Sequence, residues 1–215
     1  MEKTRSFFGE EVLEAKQKSI GGAATGTAGA ELKIWILGRE TMKNRKRILK
    51  NALSNDPCVR RELAEKLAGN SSEEAQIILM FLSHDKDARV RAEAYDSLSF
   101  CSWRKLEKVL KESIKQEKNK IARNYAIIAW FDVMRKQSGK KKKELAYIKK
   151  QRKKEKAECC LMTWSYCYYA LSGKKLGQFL RFLNSKDYHV QCAALHMIYY
   201  ETIHKKDRKK IMDKV

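Results

Sequence analysis

The chain is poor in the residues that interrupt helices. It contains one proline in 215 residues, and four of its ten glycines fall within a single segment, residues 21–30. Proline removes a backbone donor and glycine loses much conformational entropy, so both destabilise a helix interior. Leucine, alanine, lysine and glutamate, which favour helices, are abundant, and no segment alternates as a strand would. The sequence therefore predicts an all-α fold.

Long hydrophobic runs are also missing. The longest clear one, residues 77–82, is far shorter than the roughly 20 apolar residues that a helix needs to cross a bilayer. The first residues, Met1 to Arg5, are not followed by the hydrophobic region of a signal peptide. We therefore expect a soluble, cytoplasmic protein without a membrane span.

The six cysteines lack the spacing of a disulfide framework or of a zinc finger. Cys192 and His196 lie four residues apart and could face the same way on a helix, but two ligands do not complete a metal site. We expect the thiols to be buried inside helices, and we expect no metal and no other cofactor.

Acidic residues are few relative to basic ones. The chain has 26 Asp and Glu against 47 Lys and Arg, which gives a formal net charge of +21. Such an excess attracts polyanions, including nucleic acids, acidic proteins and anionic membrane surfaces. Charge says nothing about the fold, but it makes a nucleic acid or an acidic protein the expected partner.

A short motif recurs along the chain at nearly constant spacing. In each copy, a small apolar residue stands three positions after an Asp or Asn, and an Arg or Gln follows it directly. The apolar anchors Val59, Val90 and Ala122 are 31 and 32 residues apart, and Val190 follows after 68, which leaves room for one further unit. This period is typical of stacked helical repeats. The copies read Asp56-Pro-Cys-Val-Arg60, Asp87-Ala-Arg-Val-Arg91, Asn119-Lys-Ile-Ala-Arg123 and Asp187-Tyr-His-Val-Gln191.

Apolar residues spaced by three and four divide the chain into helix pairs. The Asp or Asn of each turn is expected to cap the second helix of its pair. The turn at residues 151–156 has neither, so the fourth pair is either two helices or one longer bent helix. The predicted pairs are 40–53 with 57–68, 72–83 with 87–99, 102–116 with 119–136, 140–152 with 155–171, and 174–184 with 187–204.

The remaining segments precede and follow these pairs. We predict an amphipathic helix at residues 1–20, a Gly/Ala-rich linker at 21–30 and a short helix at 30–38, so that the repeat domain covers 31–215. A basic tail, residues 205–215, ends the chain.

The segments 53–60 and 82–94 resemble HEAT repeats, in which a leucine-ended helix, an Asp-containing turn and a second helix beginning with Val-Arg follow one another. The resemblance implies a right-handed α-α superhelix of about five helix pairs, whose second helices line a concave face. It also implies a ladder of Asp and Arg side chains between neighbouring repeats. Here the ladder would comprise Asp56, Arg60, Asp87, Arg91, Arg123 and Asp187.

One segment, residues 135–156, is unusually basic. It contains twelve Lys or Arg against Glu144 and Glu155, a net charge of +10. Lysines at the start of a helix oppose its dipole, which indicates a binding role. Contact with a polyanion, a solvated flexible loop and a docking site for a protein are the alternatives. The candidate binding residues are Lys140, Lys141, Lys142, Lys143, Lys149, Lys150, Arg152, Lys153 and Lys154.

The aromatic residues indicate mainly a core. Trp130 and Trp164 are 34 residues apart, close to one repeat, and are expected at equivalent core positions. Tyrosines cluster so closely around Trp164 that Tyr168 or Tyr169 is expected to face outward, where it could stack on a base or anchor a partner.

These features favour a non-enzymatic binding or scaffold module that holds a macromolecule on its concave face and basic fourth repeat. The alternatives are a nucleic-acid-binding protein that contacts phosphates and, less favoured, a HEAT-like alkylpurine DNA glycosylase. Trp130 with Asp132 invites the latter comparison, but residues two apart on a helix point in very different directions. No catalytic residue is assigned.

Overall fold

A computed structural model describes most of the chain from residue 45 onwards. For Arg45, Lys141 and Tyr200 it describes the backbone alone. The predicted helix at 1–20, the linker at 21–30 and the helix at 30–38 lie outside the described residues, as does nearly all of the tail. The described residues are 45–70, 72–101, 106–136, 141–200, 207, 209 and 211.

The described residues form ten α-helices and contain no strand, which confirms the all-α prediction. The predicted fourth pair is two helices, because residues 155–157 between them are not helical. The first helix of the fifth pair is short and continues as a 3-10 helix, Arg181–Asn184. The helices are α1 Arg45–Ala52, α2 Pro57–Lys66, α3 Glu73–Leu82, α4 Ala88–Leu98, α5 Leu106–Gln116, α6 Lys120–Arg135, α7 Lys141–Lys154, α8 Glu158–Ser172, α9 Leu176–Leu180 and α10 Tyr188–Tyr200.

The helices belong to two compact units, which meet in sequence at residues 102 and 103. In the first unit α2 packs against α1, α3 and α4, and α3 also packs against α4. Helix α3 is apolar around most of its circumference, and its residues from Ala75 to Met80 are buried. Its start is fixed by Ser72, whose hydroxyl accepts a hydrogen bond from the N–H of Ala75 over 3.2 Å.

In the second unit α8 is the central helix. It packs against α6, α7, α9 and α10, and α5 packs against α6. Every residue of α8 from Met162 to Tyr169 is buried. The rings of Trp130 and Trp164 are both fully buried, with centroids 5.5 Å apart, and Tyr147 lies beside them at 5.1 and 5.8 Å.

The turns inside the helix pairs share one pattern of hydrogen bonds. The backbone N–H at the cap position donates to the side chain two residues earlier, over 2.8–3.2 Å. Where the cap is Asp or Asn, its own side chain accepts from the N–H two residues later. The cap donors and their acceptors are Asp56 and Ser54, Asp87 and Asp85, Asn119 and Glu117, Ala157 and Glu155, and Asp187 and Ser185.

A long side chain four residues after the cap binds the same turn from its helix. Nη1 of Arg60 donates to the carbonyl oxygens of Ser54 and Asn55, over 2.6 and 3.1 Å. Arg91 and Arg123 make the equivalent pairs of bonds in their own turns, and Gln191 donates to the carbonyl of Ser185 over 2.7 Å.

Arg60 and Arg123 also bind the following turn. Arg60 donates to both carboxylate oxygens of Asp85, through Nε at 2.7 Å and Nη2 at 2.8 Å. Arg123 binds Glu155 in the same way at 3.2 and 3.0 Å. The acidic partners therefore stand two residues before the cap, whereas Asp56, Asp87 and Asp187 bond to helix N-termini. The sequence pattern did not single out Asp85 and Glu155 for this role.

We expect Arg60→Met to destabilise the protein by roughly 3 kcal/mol, because it leaves the carboxylate of Asp85 buried without its counter-ion. The side chains of Arg60 and Asp85 are only 5% and 7% exposed. Arg89 is the matched control, since its guanidinium pairs with Asp87 at the surface. Urea unfolding of Arg89→Met should match that of the wild type. Similar small losses in both variants would contradict a structural role for the buried pair.

We expect Tyr147→Phe to stabilise the protein by about 1 kcal/mol, because the hydroxyl of Tyr147 is buried and finds no hydrogen-bond partner among the described residues. Tyr169→Phe should destabilise it by about 1 kcal/mol, since the hydroxyl of Tyr169 donates to Asp207 over 3.1 Å. Urea unfolding of the two variants provides the comparison, and the prediction fails if both changes have the same sign.

The pH dependence of stability provides a second test of the burial of the Tyr147 hydroxyl. Burial, with the nearby charge of Glu144, raises the pKa of Tyr147 from 10.0 to about 12. The part of the free energy of unfolding that depends on the protonated hydroxyl is therefore fully present below pH 10. It is lost as the pH rises towards 12, because the tyrosine ionises at lower pH in the unfolded chain than in the folded protein. The wild type should lose about 1 kcal/mol more than Tyr147→Phe between pH 9 and pH 11.

Candidate functional site

Helix α7 carries most of the predicted binding residues. Its lysine, glutamate, leucine, alanine and glutamine residues favour a helix, and it packs against α8. The inner face is narrow, with Glu144 and Ile148 buried one turn apart. The exposed residues, apart from Ala146, are all lysines, and we call them the lysine face: Lys142, Lys143, Lys149, Lys150, Lys153 and Lys154.

The other predicted binding residues are placed differently. Lys140 and the side chain of Lys141 lie outside the described residues. Arg152 is half-buried and points towards α8 and α9, where Nη2 donates to Oε1 of Gln178 over 2.8 Å. The candidate residues therefore comprise an exposed lysine face and one inward guanidinium.

The lysines of this face lack carboxylate partners among the described residues. Within the part of the chain that the structure describes, none of its side chains forms an ion pair. The two carboxylates of the basic segment are used elsewhere, since Glu144 binds Lys111 at 3.1 Å and Glu155 binds Arg123 at 3.0 Å. The described residues therefore supply no carboxylate partner for the positive charge on the outer side of α7.

Lys111 is held between two carboxylates and two aromatic rings. Its Nζ lies 2.8 Å from Glu107 and 3.1 Å from Glu144, and 5.4 and 5.0 Å from the ring centroids of Trp130 and Tyr147. Burial opposes its charge most strongly, but the hydrogen bonds to both carboxylates outweigh burial and raise the pKa of Lys111. The amine is held protonated, which suits a structural cation and not a nucleophile.

The tyrosine prediction needs correction. Tyr169 is fully buried and Tyr168 is 8% exposed, so neither ring is available for stacking on a base. Instead, Lys149 Nζ and the guanidinium carbon of Arg152 lie 5.7 and 5.4 Å from the ring centroid of Tyr168. Helix α8 is covered on several sides, which a periodicity argument for one buried face does not anticipate. Two other tyrosines, Tyr188 and Tyr199 on α10, are exposed at 70% and 81%.

Two adjacent thiols meet at the start of α8. The Sγ atoms of Cys159 and Cys160 are 4.0 Å apart, and both approach the carbonyl oxygen of Lys120. Their hydrogen bond lowers the pKa of Cys159 and raises that of Cys160. Among the described residues there is no group of three His, Cys, Asp or Glu side chains that could hold a metal ion.

No helix among the described residues is long and apolar enough to cross a membrane. The chain matches no protein-family model, no curated protein and no solved structure.

Proposed function

We propose that the chain is a non-enzymatic, HEAT-like helical-repeat module that binds nucleic acid through the lysine face of α7. In this proposal the helix pairs stack as a right-handed superhelix, and lysine ammonium groups contact backbone phosphates. The observation that carries the proposal is the row of exposed, unpaired lysines on one helix.

The recurring turns support the repeat part of the proposal. The same cap bond, and the same bond from a long side chain to the turn carbonyls, recur where the sequence motif recurs. Second helices of successive pairs lie side by side, α2 against α4 in the first unit, and α6 against α8 against α10 in the second. Neighbouring helix pairs that contact each other in this way are typical of helical repeats.

The charge distribution favours a nucleic acid over an acidic protein. An acidic protein presents scattered carboxylates, whereas a nucleic acid presents phosphates at short, regular intervals. Lysines four and seven residues apart on one exposed helix face, such as Lys143, Lys150 and Lys154, suit a regular row of anions. Because the contacts are to phosphates, they confer affinity without sequence specificity.

We expect a quadruple variant, Lys142, Lys143, Lys150 and Lys154 to Gln, to bind nucleic acid at least tenfold more weakly than the wild type. Each lost phosphate contact should also reduce the slope of log K against log salt by about 0.9 for duplex DNA. Fluorescence anisotropy with labelled duplex DNA, single-stranded DNA and RNA, at several salt concentrations, measures both quantities.

The matched control removes the same charge from other exposed positions. Changing Lys46, Lys50, Lys86 and Lys118 to Gln lowers the net charge by the same four units, and all four side chains are exposed. This variant should keep most of the affinity and nearly the whole salt slope. Equal losses of affinity in both variants would show that binding depends only on the net charge and would contradict a specific role for the lysine face. No wild-type binding at physiological salt would refute the proposal and favour a protein partner.

A further inference from the structure

Arg152 has an unusual environment for a half-buried cation. Its guanidinium lies over the ring of Tyr168 and donates through Nη2 to Oε1 of Gln178. Its Nε–H is buried and has no hydrogen-bond partner among the described residues. Buried donors are nearly always bonded, so an unused donor on a half-buried side chain could serve an acceptor from outside the chain.

Two further cations lie close to this guanidinium. Lys149, one turn earlier on α7, contacts the same face of α8 at Tyr168. Arg181 follows Gln178 by three residues and is exposed in the 3-10 helix. Burial, and then the positive charge of Arg181, lowers the pKa of Arg152. Helix α7 and the 3-10 helix that follows α9 therefore bring like charges together.

These cations have no carboxylate partner in the part of the chain that the structure describes. Among the described residues neither Lys149, Arg152 nor Arg181 forms an ion pair. The comparison with the turn arginines is direct, since Arg60 and Arg123 each bind a carboxylate through two nitrogens. Clustered guanidiniums without a counter-ion cost free energy unless an anion neutralises them.

We propose that Arg152, Arg181 and Lys149, together with Gln178, form a binding site for a single phosphate group. Guanidinium groups suit this ligand, because their planar donors match two oxygens of a phosphate. Gln178 orients the guanidinium of Arg152 through its carbonyl, which leaves its own amide nitrogen as a further donor. The site lies at the end of the lysine face and anchors one backbone phosphate of a bound nucleic acid. The identity of this carrier rests on the proposed function, whereas the phosphate site itself rests on the geometry.

The first test observes the unused donor directly. Inorganic phosphate is titrated into the full chain, at constant ionic strength against chloride, while the Nε–H resonance of Arg152 is followed by NMR and assigned with Arg152→Lys. We expect a saturable shift in roughly the millimolar range. It should disappear in Arg181→Gln and persist in Lys153→Gln, which removes the same charge from the lysine face. No saturable shift in the wild type, or equal shifts in the two variants, would overturn the proposal.

Thermal unfolding distinguishes an anion site from a structural contact. Without phosphate, Arg181→Gln should unfold at a slightly higher temperature than the wild type, because it removes the repulsion from Arg152. With phosphate, the wild type should gain stability by mass action and the variant should not. A lower unfolding temperature of Arg181→Gln in chloride would give Arg181 a structural role and count against the site.

The two proposals fail separately. Arg181→Gln should bind nucleic acid about fivefold more weakly, with a salt slope lower by about one. Nucleic-acid binding with an unchanged slope and no phosphate shift at Arg152 overturns this site and leaves the proposed function standing. A saturable phosphate shift without nucleic-acid binding supports the phosphate site and overturns the proposed function.

Discussion

Arg60 and Arg123 each join two successive turns through two sets of hydrogen bonds. Arg60 binds two carbonyl oxygens of its own turn and both carboxylate oxygens of Asp85 in the next turn. Arg123 makes the same contacts, with Glu155 as its carboxylate. A guanidinium has five donors in a rigid plane, so it satisfies both turns at once, which the single ammonium of a lysine cannot. Each of these residues therefore fixes the shape of one turn and its distance to the next, and the packing of the helices between them depends on that distance.

Pairing with partly buried cations determines where several carboxylates of the chain are placed. In the second unit Glu155 neutralises Arg123, while Glu107 and Glu144 surround Lys111. These carboxylates are largely buried, because buried cations require partners. The chain has few acids relative to its bases, so the carboxylates that pair with buried cations leave fewer to balance the lysines of the surface. Buried charges in this unit are thus paired, whereas the exposed lysines of α7 form no ion pair among the described residues.

Periodicity and capping residues predicted the helix bounds well, because both are local. The Asp or Asn at a cap bonds within two or three residues of its own position, so its role is readable from sequence. The carboxylate partners of the arginines were missed, since Asp85 is 25 residues from Arg60 and Glu155 is 32 from Arg123. Glu155 also explains the turn without Asp or Asn, because its carboxylate accepts the cap N–H of Ala157. The cluster around Arg152 was equally beyond sequence reasoning, since its members come from α7, α9 and the 3-10 helix and meet only through tertiary packing.

The lysine face and the cluster around Arg152 differ in how firmly their charges are held. Exposed lysines keep their rotamer freedom and hydration, so they attract a polyanion over about one Debye length and are screened by salt. Arg152 is held by Tyr168 and Gln178 before any ligand arrives, so less entropy is lost when a phosphate binds it. Long-range attraction mainly increases the rate of encounter, whereas oriented short-range bonds mainly slow dissociation. In the proposed function, the lysine face would therefore govern the capture of a nucleic acid and its salt dependence, and the cluster around Arg152 would govern how long and in which position the backbone is held.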